Sequence, residues 1–332
     1  MGTPKLPAAI FLMGPTASGK TDLAIALRKH LPVEIISVDS AQIYRQLNIG
    51  SAKPDAQTLS RHPHRLIDIR DPAESYSVAD FINDARIEMT EITASGKVPL
   101  LVGGSMLYFK KLLEGLSDLP EADQNVRKEI QQRADIAGWP SLYDELCQVD
   151  PETAARLHPN HSQRIQRALE VYQLTGEAMS NLQARSGDNG IESDYEIVQI
   201  ALFANSRALL HQRIEDRFHQ MMAQGFELEV RALYQRKDLH PDLPALRSAG
   251  YRQLWQYFDG DLSLDHSVES AITSSRQLAK RQITWLRKWS NAHQVYIDNG
   301  KQFLSSQNLC KQCLKILEGV PILKQEDRES MS

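Results

Sequence analysis

Short apolar runs alternate with amphipathic stretches over the first hundred residues of the chain. Ala8–Met13, Val33–Val38 and Val98–Val102 are rich in Ile, Val and Leu and are bounded by Gly, Pro or Asp. Between them, at 22–30 and 78–94, apolar residues recur every three or four positions. Continuous apolar runs are typical of buried parallel strands, and the wider spacing indicates helices. The alternation predicts an α/β fold with a doubly wound parallel sheet.

The pattern changes after Pro120. Residues 121 to about 190 contain no strand-like runs and show mostly helical spacing, which favours a helical insertion. Residues 195–203 are again strand-like, and a long amphipathic helix is predicted beyond them. We therefore predict a core at 1–119 and 193–320, a helical insertion domain at 120–192 and a disordered tail at 321–332.

The composition is that of a soluble globular protein. Apolar residues make up 42% of the 332 residues and charged residues 24%, which excludes collagen-like and disordered chains. The net charge of −4 gives no indication of a nucleic-acid partner. Of three cysteines, Cys310 and Cys313 have C-x-x-C spacing but no second pair, so neither disulfides nor a zinc site are expected. Since no apolar run could span a membrane, we expect a cytoplasmic protein.

A glycine-rich motif follows the first predicted strand. Residues 14–21 match the phosphate-loop pattern G-x-x-x-x-G-K-[S/T], placed between a strand and a helix. Backbone N–H groups of such a loop surround phosphate oxygens, Lys20 adds a positive charge, and the Thr21 hydroxyl can bind Mg²⁺. The predicted phosphate-binding residues are Gly14, Pro15, Thr16, Ala17, Ser18, Gly19, Lys20 and Thr21.

One acidic residue is predicted to lie beside this loop. In phosphate-loop NTPases an apolar strand normally ends in an Asp that positions Mg²⁺, but here the strand at 98–102 continues into Gly103-Gly-Ser. Asp39 instead follows the second strand, so we expect it at the same edge of the sheet as the phosphate loop. There it could help to hold Mg²⁺ or accept a proton, whereas an Asp taken alone in this position more often caps a turn.

Basic residues recur in the second half of the chain. Arg207, Arg213 and Arg217 lie on the long predicted helix, where they could neutralise a phosphate or a leaving group. A smaller basic segment, 163–167, lies in the helical insertion. A solvated charged surface is the alternative for the three arginines, as it is for the segment at 276–288 described next.

A third basic segment, 276–288, has five basic residues and no acidic one. Three of the basic residues share one face of the predicted helix: Arg276, Lys280 and Arg287. Leu278, Trp285 and Trp289 lie opposite and are expected to face the core. A helix of this kind is suited to a polyanion such as RNA.

Three functions fit these residues. A small-molecule kinase would bind ATP in the phosphate loop and use Asp39 as its base. A group transferase acting on RNA would hold a diphosphate leaving group in the loop, and it also gives the basic segments a role. A non-enzymatic nucleotide-binding adaptor is the third possibility, but it gives Asp39 no role.

The ordered motifs resemble those of the bacterial tRNA dimethylallyltransferase family, also called tRNA isopentenyltransferases. The matching segments are 14–21, 37–42, 49–54, 63–72, 103–108, 163–170, 213–217, 250–253 and 276–282. The family usually has Thr at the end of the Gly-Gly turn, where this chain has Ser105.

The resemblance implies a phosphate-loop kinase-like fold and transfer of a dimethylallyl group from dimethylallyl diphosphate to N6 of the adenine immediately 3′ of the anticodon. In this scheme the loop binds the prenyl diphosphate rather than ATP, and Thr21 binds Mg²⁺. Asp39 is the implied base, while Lys20 and Arg217 stabilise the departing diphosphate.

The partner implied by the resemblance is the tRNA anticodon stem-loop, bound by a cytoplasmic monomer without membrane contact. Expected tRNA contacts, including the basic helix face, are Asp39, Ser40, Ala41, Gln42, Ser105, Arg127, Gln163, Arg164, Ile165, Gln166, Arg167, Arg247, Ser248, Ala249, Gly250, Tyr251, Arg252, Arg276, Lys280 and Arg287.

Overall fold

The computed structural model of the protein describes residues 6–185 and 190–318. Tertiary contacts divide the chain into two compact units. The larger one runs to Leu113 and resumes at Ile191, and the smaller one extends from Glu114 to Gly190. The sequence pattern predicts these boundaries at 120 and 192. The tail predicted at 321–332 lies outside the described residues.

A parallel sheet forms the centre of the larger unit. Its described strands are β1 (Ala8–Met13), β2 (Val33–Val38), β3 (His64–Arg65), β4 (Val98–Gly103), β5 (Glu196–Phe203) and β6 (His293–Tyr296). They are hydrogen-bonded in the order β3-β2-β4-β1-β5-β6, and each neighbouring pair is parallel. This sheet confirms the α/β fold predicted from the alternating apolar runs.

Helices connect and cover the strands. In chain order the described α-helices are α1 (Lys20–Arg28), α2 (Ala56–Arg61), α3 (Val78–Ala94), α4 (Met106–Glu114), α5 (Gln124–Ala137), α6 (Trp139–Val149), α7 (Pro151–Ala154), α8 (Ser162–Thr175), α9 (Met179–Arg185), α10 (Arg207–Ala223), α11 (Phe226–Tyr234), α12 (Tyr251–Phe258), α13 (Leu264–Leu286) and α14 (Ser306–Leu317). Local signals set several ends: a capping box of Ser77 and Asp80 starts α3, for example. None of the described helices is long and apolar enough to cross a lipid bilayer.

The strand register places three turns side by side. Met13 at the end of β1 pairs with Gly103 at the end of β4, and Gly103 also pairs with Val38 at the end of β2. The chain therefore leaves three adjacent strands at one level. The turns that follow these strands share the carboxyl edge of the sheet, which is where open α/β sheets bind their ligands.

The core of the larger unit lies on the strands and the helices against them. Every residue of β1 and β4 is buried, as expected for strands covered on both faces. Cys310 and Cys313 of α14 belong to this core, and burial raises the pKa of the Cys313 thiol to about 12. Both cysteines therefore act as apolar packing residues.

The smaller unit is helical and consists of α5 to α9. Its core includes Ile130, Leu142, Leu146 and Ile165. The buried Asp150 carboxylate accepts hydrogen bonds from the Thr153 N–H and from the N–H and hydroxyl of Ser180. These bonds connect the start of α7 with α9.

Candidate active site

A cavity of about 1130 Å³ lies at the carboxyl edge of the sheet, within the larger unit. The turns after β1, β2 and β4 line it, together with residues of the α11–α12 connection and one side of α13. The predicted site residues that line it are Thr16, Ala17, Ser18, Gly19, Lys20, Thr21, Asp39, Ser40, Ala41, Gln42, Ser105, Arg217, Arg247, Ser248, Ala249 and Arg252. The structure thus brings the phosphate loop, Asp39 and Arg217 together.

The phosphate loop folds tightly between β1 and α1. Gly19 precedes the helix with a left-handed φ of 81°, which glycine adopts without strain. A Cβ on Gly14 would lie 2.9 Å from Ser18 Oγ and 3.0 Å from Leu202 Cβ, so a side chain does not fit there. Gly14 and Pro15 are buried and do not line the cavity, whereas the remaining loop residues do.

Lys20 is the cation of this loop. Its Nζ donates a hydrogen bond to the Pro15 carbonyl at 2.7 Å. Burial lowers the pKa of Lys20 to about 7, with Asp39 opposing this shift and Arg217 adding to it. An anion that enters the loop would stabilise the charged form of Lys20.

Two arginines of α10 reach the phosphate loop. Arg217 Nη2 donates to the Thr16 hydroxyl, and burial lowers the pKa of its guanidinium while Asp39 opposes the shift. Arg213 Nη1 donates to the Ala17 carbonyl at 3.4 Å, and its guanidinium lies 3.1 Å from the centre of the Phe303 ring. Arg207, the third arginine of the predicted set, is exposed and does not line the cavity.

Asp39 combines the two roles that the sequence left open. One carboxylate oxygen, Oδ1, accepts hydrogen bonds from the N–H groups of Ala41 at 2.8 Å and Gln42 at 3.3 Å, so it caps the turn after β2. Within the described residues Oδ2 has no hydrogen-bond partner, and the side chain lines the cavity. The turn fixes the carboxylate and leaves one oxygen for a ligand.

A metal ion would find oxygen ligands here. Among the described residues no group of three or more His, Cys, Asp or Glu side chains is arranged to hold a metal ion. Thr21 and Asp39 nevertheless line the same cavity. One or two protein oxygens together with phosphate oxygens and water are a typical Mg²⁺ environment, so these residues fit the ion.

Gln282 is a site residue that is not among the residues predicted from the sequence. It lies on α13 within the motif at 276–282, and its amide contacts the phosphate loop and the turn after β4. No local pattern could reveal this contact, because the partners lie far apart in the chain.

The predicted faces of α13 were wrong. Trp285 is 37% exposed and lines the cavity together with Leu278 and Arg281, although Trp285 and Leu278 were expected to face the core. The buried positions of α13 are instead Ser267, Ala271, Ile272, Ala279, Gln282 and Leu286.

Of the predicted basic face, Lys280 and Arg287 are exposed but do not line the cavity. Arg276 is half-buried and forms an ion pair with Glu215 at 2.8 Å. Arg276 is therefore not a free cation on the surface, as the predicted basic face required.

Two of the expected tRNA contacts have completely buried side chains. Ile165 belongs to the core of the smaller unit. Tyr251 is enclosed in the larger unit, and its hydroxyl donates to Glu229 at 2.6 Å. Gly250 is buried as well, with a φ of 93° and no room for a side chain beside Phe226.

In the smaller unit, two predicted contacts surround a buried carboxylate. Arg127 Nε donates to Glu170 at 2.8 Å, and Arg167 Nη1 donates to the same carboxylate at 2.7 Å. The Glu170 side chain is completely buried, and each arginine is about one third exposed. Gln166 donates to the Arg127 carbonyl, while Gln163 and Arg164 are exposed.

The parallel sheet, the phosphate loop after its first strand and the cavity at its carboxyl edge define an α/β enzyme of the phosphate-loop class. Residues 42–289 match the model of the family described as IPP transferase. The chain belongs to this family, which confirms the resemblance found in its motifs and makes the protein a transferase rather than a small-molecule kinase.

Solved structures agree with this assignment. The tRNA isopentenylpyrophosphate transferase of Bacillus halodurans is 35% identical with a TM-score of 0.65, and the match covers 94% of this chain and 97% of that one. The corresponding Staphylococcus epidermidis enzyme is 31% identical with a TM-score of 0.66, over 94% and 99% of the two chains. A eukaryotic dimethylallyltransferase acting on tRNA, 24% identical over 96% and 81%, shares the fold with a TM-score of 0.78.

Proposed function

We propose that the protein transfers a dimethylallyl group from dimethylallyl diphosphate to N6 of the adenine immediately 3′ of the anticodon, position 37 of tRNA. The observation that carries this proposal is the placement of the phosphate loop, Arg217 and the free oxygen of Asp39 around one cavity. In the proposed reaction the bond between the allylic carbon and the diphosphate oxygen breaks. A bond from that carbon to N6 forms, and N6 loses a proton.

The phosphate loop and its arginine are suited to the leaving group. As the C–O bond breaks, negative charge grows on the diphosphate, and preorganised N–H groups and cations stabilise such charge most effectively in a site shielded from water. Lys20 and Arg217 are both desolvated cations at this place. We assign to them the stabilisation of the departing diphosphate.

Asp39 is suited to the nucleophile. An aromatic amine is a weak nucleophile, so its orientation and the removal of its proton both matter. With Oδ1 fixed by the turn, Oδ2 can accept a hydrogen bond from the N6 amine and then its proton. The target base must leave the anticodon loop stack to reach this oxygen.

Mg²⁺ belongs to the proposal as a cofactor. Bound to the diphosphate, it would neutralise part of the charge that develops on the leaving group. The Thr21 hydroxyl, in the first turn of α1, would contribute a ligand.

For the tRNA partner we propose the anticodon stem-loop, bound by a monomer in the cytoplasm. Cationic side chains at the mouth of the cavity support a polyanionic ligand. They are Arg247 of the α11–α12 connection, Arg252 of α12 and Arg281 of α13, all of them exposed.

The experiment is incubation of the protein with unmodified tRNA, Mg²⁺ and dimethylallyl diphosphate, followed by nucleoside mass spectrometry. We expect a dimethylallyl adduct on adenine at position 37 and release of diphosphate. Isopentenyl diphosphate, the isomer whose leaving group is not allylic, serves as the matched control for the donor. Phosphoryl transfer from ATP to the tRNA, or no adduct with the allylic donor, would contradict the proposal.

A further inference from the structure

Gln282 joins two turns that flank the cavity. Its amide oxygen accepts a hydrogen bond from the Thr16 N–H at 2.8 Å, and its amide nitrogen donates to the Gly104 carbonyl at 2.9 Å. Only 8% of the residue is exposed. A single side chain of α13 therefore satisfies a donor in the phosphate loop and an acceptor in the turn after β4, and Thr16 and Gly104 both line the cavity.

The turn after β4 is shaped to receive this amide. A Cβ on residue 104 would lie 2.4 Å from Gln282 Nε2 and 3.3 Å from the Gly14 carbonyl oxygen. Glycine at 104 is thus required for the contact, and a larger residue would push the amide out of place. The packing of Gln282 therefore explains why the second residue of the Gly-Gly pair is glycine.

Further hydrogen bonds connect the turn after β4 with the turn that carries Asp39. The Ser105 N–H donates to the Val38 carbonyl at 3.3 Å, and the Ser40 N–H donates to Ser105 Oγ at 3.2 Å. Ser40 directly follows Asp39. On the other side, Thr16 accepts a hydrogen bond from Arg217 through its hydroxyl. Hydrogen bonds and the covalent links between adjacent residues therefore connect Arg217 with the turn that carries Asp39, by way of Gln282.

We propose that Gln282 is a positioning residue that fixes the phosphate loop relative to the Asp39 turn, an inference that rests on the proposed function. The amide performs two opposite tasks, since it accepts from an N–H and donates to a carbonyl. Among side chains of this length, only a primary amide or a protonated carboxyl can do both. Its loss lets the two turns shift, and the reacting groups no longer meet in line.

Two variants test this directly. Gln282→Met keeps the length and provides neither hydrogen bond, so we expect kcat to fall about 100-fold, the loss typical of a misplacement of roughly 1 Å. The KM for dimethylallyl diphosphate should change much less, because the other N–H groups of the loop remain in place. An effect confined to kcat distinguishes positioning from substrate binding.

Gln282→Glu adds a pH signature. As a carboxylate it offers an acceptor to the Gly104 carbonyl, and two acceptors repel. When protonated it donates to that carbonyl and still accepts from Thr16, which restores the original pattern. Burial raises the pKa of such a carboxyl. We therefore expect the ratio of variant kcat to wild-type kcat to increase as the pH is lowered from about 8 to about 6.

The matched control is Gln199→Met. Gln199 is a glutamine of β5, 6% exposed, that accepts a hydrogen bond from Trp289 and does not line the cavity. It should lose thermal stability but keep kcat per folded site. Calorimetric titration with dimethylallyl diphosphate counts the folded sites in every preparation.

Failure of this inference can be separated from failure of the proposed function. A wild-type protein that forms no prenyl adduct contradicts the function. An active wild type overturns the role of Gln282 if the Gln282→Met variant turns over at the wild-type rate. A ratio for Gln282→Glu that stays constant over the pH range, in a variant that binds the diphosphate with full stoichiometry, overturns it as well.

Discussion

Lys20 occupies a place where its charge is costly until a ligand arrives. Burial brings the pKa of Lys20 to about 7, so near neutral pH a sizeable fraction of the free protein carries an uncharged lysine. An anion in the loop favours the charged form and raises this pKa again. Binding of a diphosphate is thereby coupled to the uptake of a proton.

This coupling gives a prediction for ligand binding. Between about pH 7 and pH 9, dimethylallyl diphosphate should bind with proton uptake, and its affinity should fall as the pH rises through the pKa of the free lysine. Calorimetry in buffers of different ionisation enthalpy measures this uptake. Lys20→Arg is the control, because a guanidinium stays charged and adds no proton. Equal proton uptake by both proteins would show that Lys20 is charged before binding.

Asp39 gives a second prediction at the level of one residue. Asp39→Asn keeps an oxygen that accepts from the N–H groups of Ala41 and Gln42, so the turn should persist. The amide cannot accept a proton at neutral pH, and we expect the single-turnover rate to fall about 100- to 10,000-fold. The Kd for tRNA, measured by filter binding, should stay near the wild-type value. Transfer at the normal rate would remove Asp39 from the chemistry.

Single residues also show what the sequence could and could not predict. The phosphate loop and Asp39 were found because each directly follows a recognisable apolar strand. The sequence pattern did not reveal Gln282, because Thr16, to which it is hydrogen-bonded, lies 266 residues away and the role of Gln282 depends on this tertiary contact. Long-range hydrogen bonds of this kind leave no periodic signal in the chain.

At the level of structural elements, the turn at residues 48–50 is held in place by a side chain of helix α11. The Glu229 carboxylate of α11 accepts hydrogen bonds from the N–H groups of Asn48 at 3.1 Å, Ile49 at 2.7 Å and Gly50 at 3.1 Å. The Tyr251 hydroxyl donates to the same carboxylate. Gly50 lines the cavity, so the Glu229 carboxylate holds one of the backbone segments that form its wall.

We expect the hydrogen bonds accepted by Glu229 to contribute to the free energy of unfolding. Glu229→Gln replaces one acceptor by an NH₂ group that faces two donors, which should lower the free energy of unfolding by about 1–3 kcal/mol. Glu227→Gln on the same helix is the matched control, since it removes only the surface ion pair with Arg231. Thermal unfolding compares the two variants. If the two variants unfold at the same temperature, the hydrogen bonds to Glu229 do not stabilise the protein.

Helix α13 explains why a two-sided view of an amphipathic helix failed. Periodicity assigns apolar residues to a core face and basic residues to a solvent face. This helix has a third environment, the cavity, which Leu278, Arg281 and Trp285 line. The buried face includes the polar Gln282 and small residues such as Ala279, which a search for large apolar side chains passes over.

For the whole molecule, the net charge of −4 conceals where its cations lie. The exposed Arg252 and Arg281 line the cavity. Other arginines lie beside carboxylates: Arg247 is 3.6 Å from Asp242, Arg276 pairs with Glu215, and two arginines surround Glu170. Only cations that exchange counterions for phosphates contribute to salt-dependent RNA binding.

This distinction yields a prediction about salt. Arg281→Gln should weaken tRNA binding and reduce the slope of log Kd against log salt by about 1, the share of one phosphate contact. Arg276→Gln, the control five positions earlier on the same helix, should change the slope far less because its charge is already paired. Titrations of tRNA at several salt concentrations measure both. The reverse ranking would place the RNA on the other side of α13.

The strand order also bears on how the chain is made. β1 precedes the other described strands in the chain, yet it lies between β4 and β5, and β5 follows only after the smaller unit has been synthesised. Until then one edge of an apolar strand has no neighbour, a state that invites pairing with other chains. The time needed to synthesise residues 114–190 is therefore an interval during which β1 is present without its neighbour β5.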